Sequence, residues 1–408
     1  MNILLINHYA GSPDMGMEFR PYYMAREWIK KGHRVTIIAG DYSHLRRKNP
    51  RVDKDFQKDR IDRRITYLWV KTGKYGGNGV KRALTMFRFV GKLMFHAKKI
   101  VNKLKPDAVV SSSTYPIDTF AAQRIAKLAN ARLIHEVHDM WPATLTEVGG
   151  MSKMNPFVVL MQIGENSAYK HSDYVVSLPE FAKDYMMEHG LQSDKFVHIN
   201  NGIVLEDWKS PKKIPEEHKD SIIRLKKQEK FIVGYFGGHA LSNALDVLLD
   251  VAKKIDDDQV HFLLVGDGVE KKQLVEKTKA MKLANITFLP PVSKYAIPDL
   301  VSYFDCIYIG AKASPLYRFG IAMNKVFDSM MGGKPLIYAI DSPSDFATSY
   351  QCGVKVKAED TGSIIDGIMQ IKNMSKDERN QLGENGKNAV LQHFEYGILA
   401  NQFLEIMQ

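Results

Sequence analysis

The residues best equipped for chemistry lie in one stretch near the C-terminus: Tyr317-Arg318-Phe319-Gly320-Ile321-Ala322-Met323-Asn324-Lys325-Val326-Phe327-Asp328. A glycine-containing loop opens a helix there, and a helix start offers unpaired N–H groups and a positive dipole end to an anion. Met323 and Asn324 sit in the opening turn and Lys325 adds a full positive charge, a combination suited to a diphosphate. Asp328, one turn further on, can accept hydrogen bonds from sugar or ribose hydroxyls. The same residues would also make an ordinary loop–helix–strand unit, ended by Gly332-Gly333 and a buried strand from Pro335.

Other loops carry weaker signals. In Glu136-Val137-His138-Asp139-Met140-Trp141-Pro142, a neutral His138 could hydrogen-bond a sugar hydroxyl or a leaving phosphate oxygen. Between His8 and Pro21, Gly16 lets a phosphate approach the backbone and Arg20 offers a guanidinium fork. Gly237-Gly238 and Gly266-Asp267-Gly268 are glycine turns ahead of predicted helices, and Pro291 and Val292 could present backbone groups to a nucleotide base. The sequence has no Ser-His-Asp order, no zinc spacing and no P-loop, which argues against hydrolase and kinase chemistry and against a metal site.

The elements that must position these loops alternate along the whole chain. Strands are expected at Ile3–Ile6, Arg34–Ile38, Ala108–Ser111, Arg132–Glu136, Tyr174–Ser177 and Phe196–Ile199, with helices in the gaps at Arg20–Lys31, Asp118–Ala129, Pro156–Lys170 and Pro179–His189. After a polar, proline-containing segment the pattern restarts, with strands at Phe231–Tyr235, His261–Val265, Asp305–Ile309 and Pro335–Ile340. Repeated βαβ units call for an α/β fold with two doubly wound parallel sheets, whose ligands bind at the carboxyl ends of the strands. The expected domains are residues 1–203 and 204–391, with a C-terminal helix at about 392–408 packing back on the first.

Composition places the chain among soluble globular proteins: 45% hydrophobic, 25% charged, two cysteines, and no apolar run near the ~20 residues that cross a bilayer. The net charge of +11 is concentrated, since Arg46 to Lys105 holds 19 Lys and Arg against four Asp and leaves the remainder slightly acidic. One basic block implies one surface facing a negative partner. Lys81–Lys105 has helical periodicity, with Arg88, Lys92, Phe95, Lys99 and Lys103 on one face and Ala83, Met86, Val90, Leu93, Ala97, Ile100 and Leu104 on the other. That face is expected to meet an anionic membrane surface.

Taken in order, several motifs resemble retaining glycosyltransferases of family 4, which have the GT-B fold of two Rossmann-like domains. They are Arg20-Pro21 with Ala25-Arg26-Glu27, Lys31-Gly32-His33-Arg34-Val35-Thr36, His138 to Pro142, Gly237-Gly238-His239 with Leu245 to Leu249, Val265-Gly266-Asp267-Gly268, and Phe319-Gly320 through Lys334-Pro335. The resemblance is to bacterial enzymes of O-antigen and capsule assembly, often amino-sugar transferases, and spans nearly the whole chain. It implies a nucleotide-diphosphate sugar donor (a UDP-sugar), a lipid-linked saccharide acceptor, no metal or other cofactor, no nucleic acid partner, and a cytoplasmic location at the inner membrane face. It also implies His138 and Lys325 as catalytic residues and Gly16, Arg20, Gly237, Gly238, Gly266, Gly268, Pro291, Val292, Gly320, Met323, Asn324 and Asp328 as donor-binding residues. Two features depart from the family. The first glutamate of its two-glutamate motif has no counterpart near Tyr317 and Arg318, and Ser242-Asn243-Ala244 replaces the usual Arg and Lys. Lys325 and Arg20 are expected to supply the missing charge. The rival expectations are a sugar-nucleotide 2-epimerase of the same fold, which needs a cluster of acids and histidines, and a non-enzymatic basic protein binding membrane or nucleic acid.

Overall fold

The structure is a computed structural model that describes residues 1–16, 19–62, 64–77 and 79–408; Met17, Glu18, Arg63 and Asn78 lie outside the described residues. The chain divides into two compact units: Met1–Asn201 with Phe319–Ile321 and Tyr396–Gln408, and Gly202–Arg318 with Ala322–Glu395. The division falls two residues before the expected first boundary and puts Gly320, expected among the donor-binding residues, with the first unit. There Phe319 packs its ring on Tyr185 and its carbonyl accepts from the Phe181 N–H, which explains the grouping.

The first unit holds an eight-stranded sheet of β1 (Asn2–Ile6), β2 (Arg34–Gly40), β3 (Gln57–Ile61), β4 (Ile65–Val70), β5 (Ala108–Ser111), β6 (Arg132–Val137), β7 (Tyr174–Ser177) and β8 (Phe196–His198), in the order β3-β4-β2-β1-β5-β6-β7-β8. All neighbours pair in parallel except β3 with β4. The near-continuous apolar runs of the central strands are what a sheet buried on both faces requires. β3 escaped the sequence reading because Gln57-Lys58-Asp59-Arg60-Ile61 has no apolar period. It caps the sheet edge with charge, which guards against edge pairing, and Asp59 accepts from Trp69 Nε1 at 2.7 Å.

The helices Val80–Leu104, Thr119–Ala129 and Pro156–His171 cover one face and contribute Met86, Phe89, Leu93, Ala97, Ile100, Ala121, Ala122, Ile125 and Met161 to the core over Leu4, Ile6 and Val109. On helix Arg20–Lys30, Trp28 donates to the Ala400 carbonyl at 3.2 Å and packs on Phe403, so the helix Tyr396–Met407 is an integral part of this unit.

The second unit holds a wholly parallel six-stranded sheet of β9 (Phe231–Gly238), β10 (Val260–Asp267), β11 (Ile286–Leu289), β12 (Cys306–Gly310), β13 (Leu336–Ala339) and β14 (Gly353–Lys355), in the order β11-β10-β9-β12-β13-β14. Val233, Tyr235, Phe262, Leu264, Tyr308 and Ile337 build its core with Leu248, Val251, Ile364 and Ile368 from the flanking helices. In each sheet the strand order reverses once near the middle, between β1 and β5 and between β9 and β12. Loops leaving the carboxyl ends on either side of a reversal diverge to opposite faces and leave a crevice where ligands bind.

Candidate active site

In the second unit the crevice is framed by the loop after β9 and the helix Asn324–Met331 after β12. Met323 is the N-cap of that helix, no side chain caps it, and its first turn carries no acid. The opening turn therefore keeps the anion-receptive end that the sequence leads one to expect. Lys325 reaches back across the reversal to Asn243 Oδ1, and its Nζ lies 5.3 Å from the centroid of the Tyr235 ring. Asn243 donates in turn to the Gly238 carbonyl at 2.8 Å, which also accepts from the Tyr235 hydroxyl at 2.7 Å.

Lys325 is largely buried, and burial pushes its amine down to about 8. Among the described residues no carboxylate pairs with it. The neighbouring lysines are already committed. Lys312 bridges Asp246 and Glu359 at 2.9 and 3.0 Å, and Lys271 donates to the Gly266 and Leu289 carbonyls at 2.6 and 2.9 Å. A buried cation without a counter-ion costs free energy, and a ligand anion is the group that would offset it.

The glycines of this unit separate into two kinds. A Cβ on Gly266 would lie 1.9 Å from the Gly237 carbonyl oxygen, and one on Gly268 would lie 2.4 Å from the His239 carbonyl oxygen. Close packing of the β9 and β10 ends therefore explains both without a ligand. Gly237 and Gly238, paired with β10 at the end of β9, meet no such obstacle and are exposed, so a ligand can approach them without a clash. His239, wholly buried behind them, has no hydrogen-bond partner on either ring nitrogen among the described residues; burial, then Lys271, pushes its imidazole down to about 4, so it is neutral. Pro291 is exposed and Val292 half-buried beyond the end of β11. Asp328 is partly buried, and burial raises its carboxyl above the usual range, against the pull of Lys294 and with a push from Asp207.

The first unit brings a different constellation to its own crevice. Asn7, after β1, donates to the Ser112 carbonyl after β5 at 2.6 Å. Ser112 Oγ donates to Glu136 Oε2 at 2.5 Å, and His138 Nε2 lies 3.0 Å from that oxygen and 2.9 Å from Ser112 Oγ. Because the serine proton goes to the carboxylate, Nε2 of His138 must carry the proton it shares with Glu136 and Ser112.

Glu136 Oε1 accepts from Arg20 Nε at 2.9 Å. Burial alone would raise the Glu136 carboxyl, but Arg20, His138 and Ser112 outweigh it and hold it well below the usual carboxylate range. Two further acids of this unit are buried. Asp118 is wholly buried and pushed up to about 7 by that burial; its Oδ2 accepts from the Ser113 N–H, and Oδ1 has no partner among the described residues. Glu165, also pushed to about 7 by burial, accepts from Tyr169, Gln162 and Tyr185.

Three expectations need correction. Arg20 does not offer a fork to phosphate: its exposure is 2%, and its N–H groups go to Glu136, to the Asn200 and Ile199 carbonyls and to Asn201 Oδ1. Gly16 has a local reason for being glycine: φ is +89° and a Cβ would come 3.1 Å from the Arg47 amide nitrogen, where the loop bridges to Arg46. On the helix Val80–Leu104, Lys92 is drawn off the outer face to Asp55 at 2.8 Å and to the Lys71 carbonyl, and Arg88 donates to the Thr72 carbonyl, whereas Phe95, Lys99 and Lys103 are exposed. The sequence reading also missed Glu136, Ser112 and Asn243. Glu136 had a signal, since a charged residue inside an apolar parallel strand requires a buried partner.

Comparison with known proteins agrees with this geometry. The profile described as Glycosyltransferase Family 4 matches residues 15–207, and that described as Glycosyl transferases group 1 matches residues 216–389. Together the two matches span most of the chain, which is a family-4-like glycosyltransferase, and its two parallel-sheet units are those of the GT-B fold. WcaI of Escherichia coli (strain K12), assigned as a colanic acid biosynthesis glycosyl transferase, is 22% identical over 209 residues, 50% of each chain. The uncharacterized glycosyltransferase MJ1069 of Methanocaldococcus jannaschii is 21% identical over 244 residues, 59% of each. The chain thus spans about half the length of the curated relatives it matches.

Among solved structures, Anabaena HepE in complex with UDP and glucose superposes with a TM-score of 0.67 at 16% identity, covering 99% of this chain and 98% of HepE. A Thermosynechococcus elongatus sucrose-phosphate synthase gives 0.74 at 16% identity, covering 99% and 97%. WaaG, a glycosyltransferase involved in lipopolysaccharide biosynthesis, gives 0.64 at 12% identity, covering 100% and 99%.

Proposed function

We propose that the protein transfers a glycosyl group, with retention, from a nucleoside-diphosphate sugar, UDP-linked, to a hydroxyl of a lipid-linked saccharide in surface-polysaccharide assembly, at the inner face of the membrane and without a resident metal. One observation carries the reading. Lys325 is a largely buried amine with no carboxylate partner among the described residues, beside an uncapped helix start and the exposed glycines Gly237 and Gly238. HepE, whose structure holds UDP and glucose, and WcaI, assigned to colanic acid biosynthesis, support the donor class and the polysaccharide context.

The residues then divide the work. The N–H groups of the Asn324–Met331 helix and the Lys325 ammonium meet the diphosphate and stabilise the charge that grows on it as the glycosidic bond breaks. Asp328 accepts from ribose hydroxyls, and Pro291 and Val292 border the base. His138, held by Glu136 and Ser112, hydrogen-bonds the transferred sugar. Among the described residues no carboxylate pairs with Lys325, so attack on the same face as the leaving phosphate, with that phosphate assisting removal of the acceptor proton, fits better than a double displacement.

Lys325→Ala should weaken UDP binding in calorimetry and lower kcat/KM with a UDP-sugar on the order of 10- to 1000-fold. Unchanged donor binding and turnover in that variant would refute the assignment. Full transfer in EDTA is the outcome expected of a metal-free reaction.

A second reading gains support from the first unit. The cluster of His138, Glu136 and buried Asp118 supplies acid–base groups of the kind a sugar-nucleotide 2-epimerase needs, which the sequence did not reveal. Incubation with UDP-sugars and no acceptor decides the matter, since accumulation of an epimer would favour this alternative.

A further inference from the structure

The helix Val80–Leu104 carries two apolar faces, and the core uses only one. Met86, Phe89, Val90, Leu93, Ala97 and Ile100 are buried. Val80, Leu84, Phe87 and Phe95 fall at i, i+4, i+7 and i+15 with Gly91 at i+11, a separate strip along the helix, and they are 78%, 45%, 39% and 84% exposed. Scattered apolar side chains on a surface need no explanation, but a row on one helix does. Phe87 meets Phe157 edge to face at 6.3 Å, on the helix Pro156–His171, whose Val159 and Ile163 are also exposed. Lys81, Lys98, Lys99 and Lys103 are exposed along and beside the strip, within the block of the chain that holds its excess positive charge.

We propose that this strip is the surface by which the protein lies on an anionic bilayer, its apolar side chains entering the headgroup boundary and the flanking lysines meeting lipid phosphates. The inference rests on the reading that the acceptor is lipid-linked, and it moves the contact from the cationic stripe expected in the sequence to a strip about a quarter turn away. The reason is visible in the partners: Lys92 is held by Asp55 and Arg88 by the Thr72 carbonyl, so neither is free to lead the contact.

Charge decides between occupants. Lysine is depleted from the cores of protein–protein interfaces, whereas apolar residues flanked by lysines are what an interfacial helix presents to acidic lipid. Among the described residues no helix is long and apolar enough to cross a membrane, so contact by helices here is from the surface.

The test compares the wild-type chain with the variant Leu84→Ser/Phe87→Ser/Phe95→Ser in sedimentation with vesicles of phosphatidylcholine containing phosphatidylglycerol. The wild type should bind, and part of the binding should survive ~0.5 M salt, where screening shortens to a few ångström. The variant should lose on the order of tenfold in partitioning while keeping UDP binding and thermal stability. Equal binding by wild type and variant overturns the proposal. So does wild-type binding that salt abolishes completely, or no binding at all. A wild-type dimer that the variant converts to monomer assigns the strip to a second copy and also overturns it. Vesicle binding is measured without saccharide, so an enzyme whose acceptor is not lipid-linked would show as normal vesicle binding with transfer to soluble acceptors alone.

Discussion

The two crevices handle buried charge in opposite ways. In the first unit the charges around Glu136 are matched: Arg20 and His138 share it, Ser112 closes the network, and the guanidinium is anchored on three further acceptors. In the second unit Lys325 is buried against Asn243 and a tyrosine ring with no acid in reach among the described residues. A compensated network is complete before any ligand arrives and serves first to hold its side chains in place. An uncompensated charge is complete only when a ligand brings its own. The contrast separates a positioning device from a binding device, although arginine, lysine and glutamate look equally chemical in a sequence.

The largest effect should follow from breaking the compensated side. Glu136→Gln strands the buried Arg20 guanidinium, and loss of one partner of a buried ion pair costs about 3–5 kcal/mol. A large fall in thermal stability is expected, whereas Lys325→Met should leave the ligand-free protein as stable or more so. Melting curves of the two variants side by side would erase the distinction if the order were reversed.

The next effect sharpens the uncompensated side through pH. The Lys325 amine lies near 8 in the folded protein against an ordinary 10.5, so the unfolded chain holds the extra proton between those values. The ligand-free wild type should therefore gain stability relative to Lys325→Met as pH rises through that window, and the gain should disappear below about 8. Donor binding has the opposite slope. A diphosphate needs the ammonium, so affinity should fall by up to about tenfold per pH unit above 8, with proton uptake on binding near that pH. Calorimetry in buffers of different ionisation enthalpy measures that uptake directly, and its absence would leave Lys325 without a role at the diphosphate.

The smallest effect concerns the group that aims the lysine. Asn243→Ala removes one hydrogen bond to Lys325 and one to the Gly238 carbonyl, worth about 1 kcal/mol, so donor affinity should drop by about fivefold with kcat little changed. A loss as large as that of Lys325→Ala would mean that Asn243 itself touches the donor.

Much of this architecture was legible in advance. β5 and β7 carry the boundaries expected from their apolar runs, because strands buried on both faces announce themselves in composition. β3 did not, since an edge strand paired on one side needs only backbone geometry. The Asn324 turn stands where it was expected, whereas β9 runs three residues past its expected end to include Gly237-Gly238, and Gly266, Gly268 and Gly16 owe their small size to backbone packing that no local pattern records.

By itself the sequence determined the succession of elements and the anion-receptive helix start, because hydrophobic period, capping and turn chemistry act over a few residues. Only the tertiary structure decided which charges are free. Arg20 meets Glu136 across 116 positions of chain, and Lys325 meets Asn243 across 82. Whether a buried charge finds a partner depends on what folding brings within a few ångström, and that distance is set by strand order in the sheet, not by spacing along the chain.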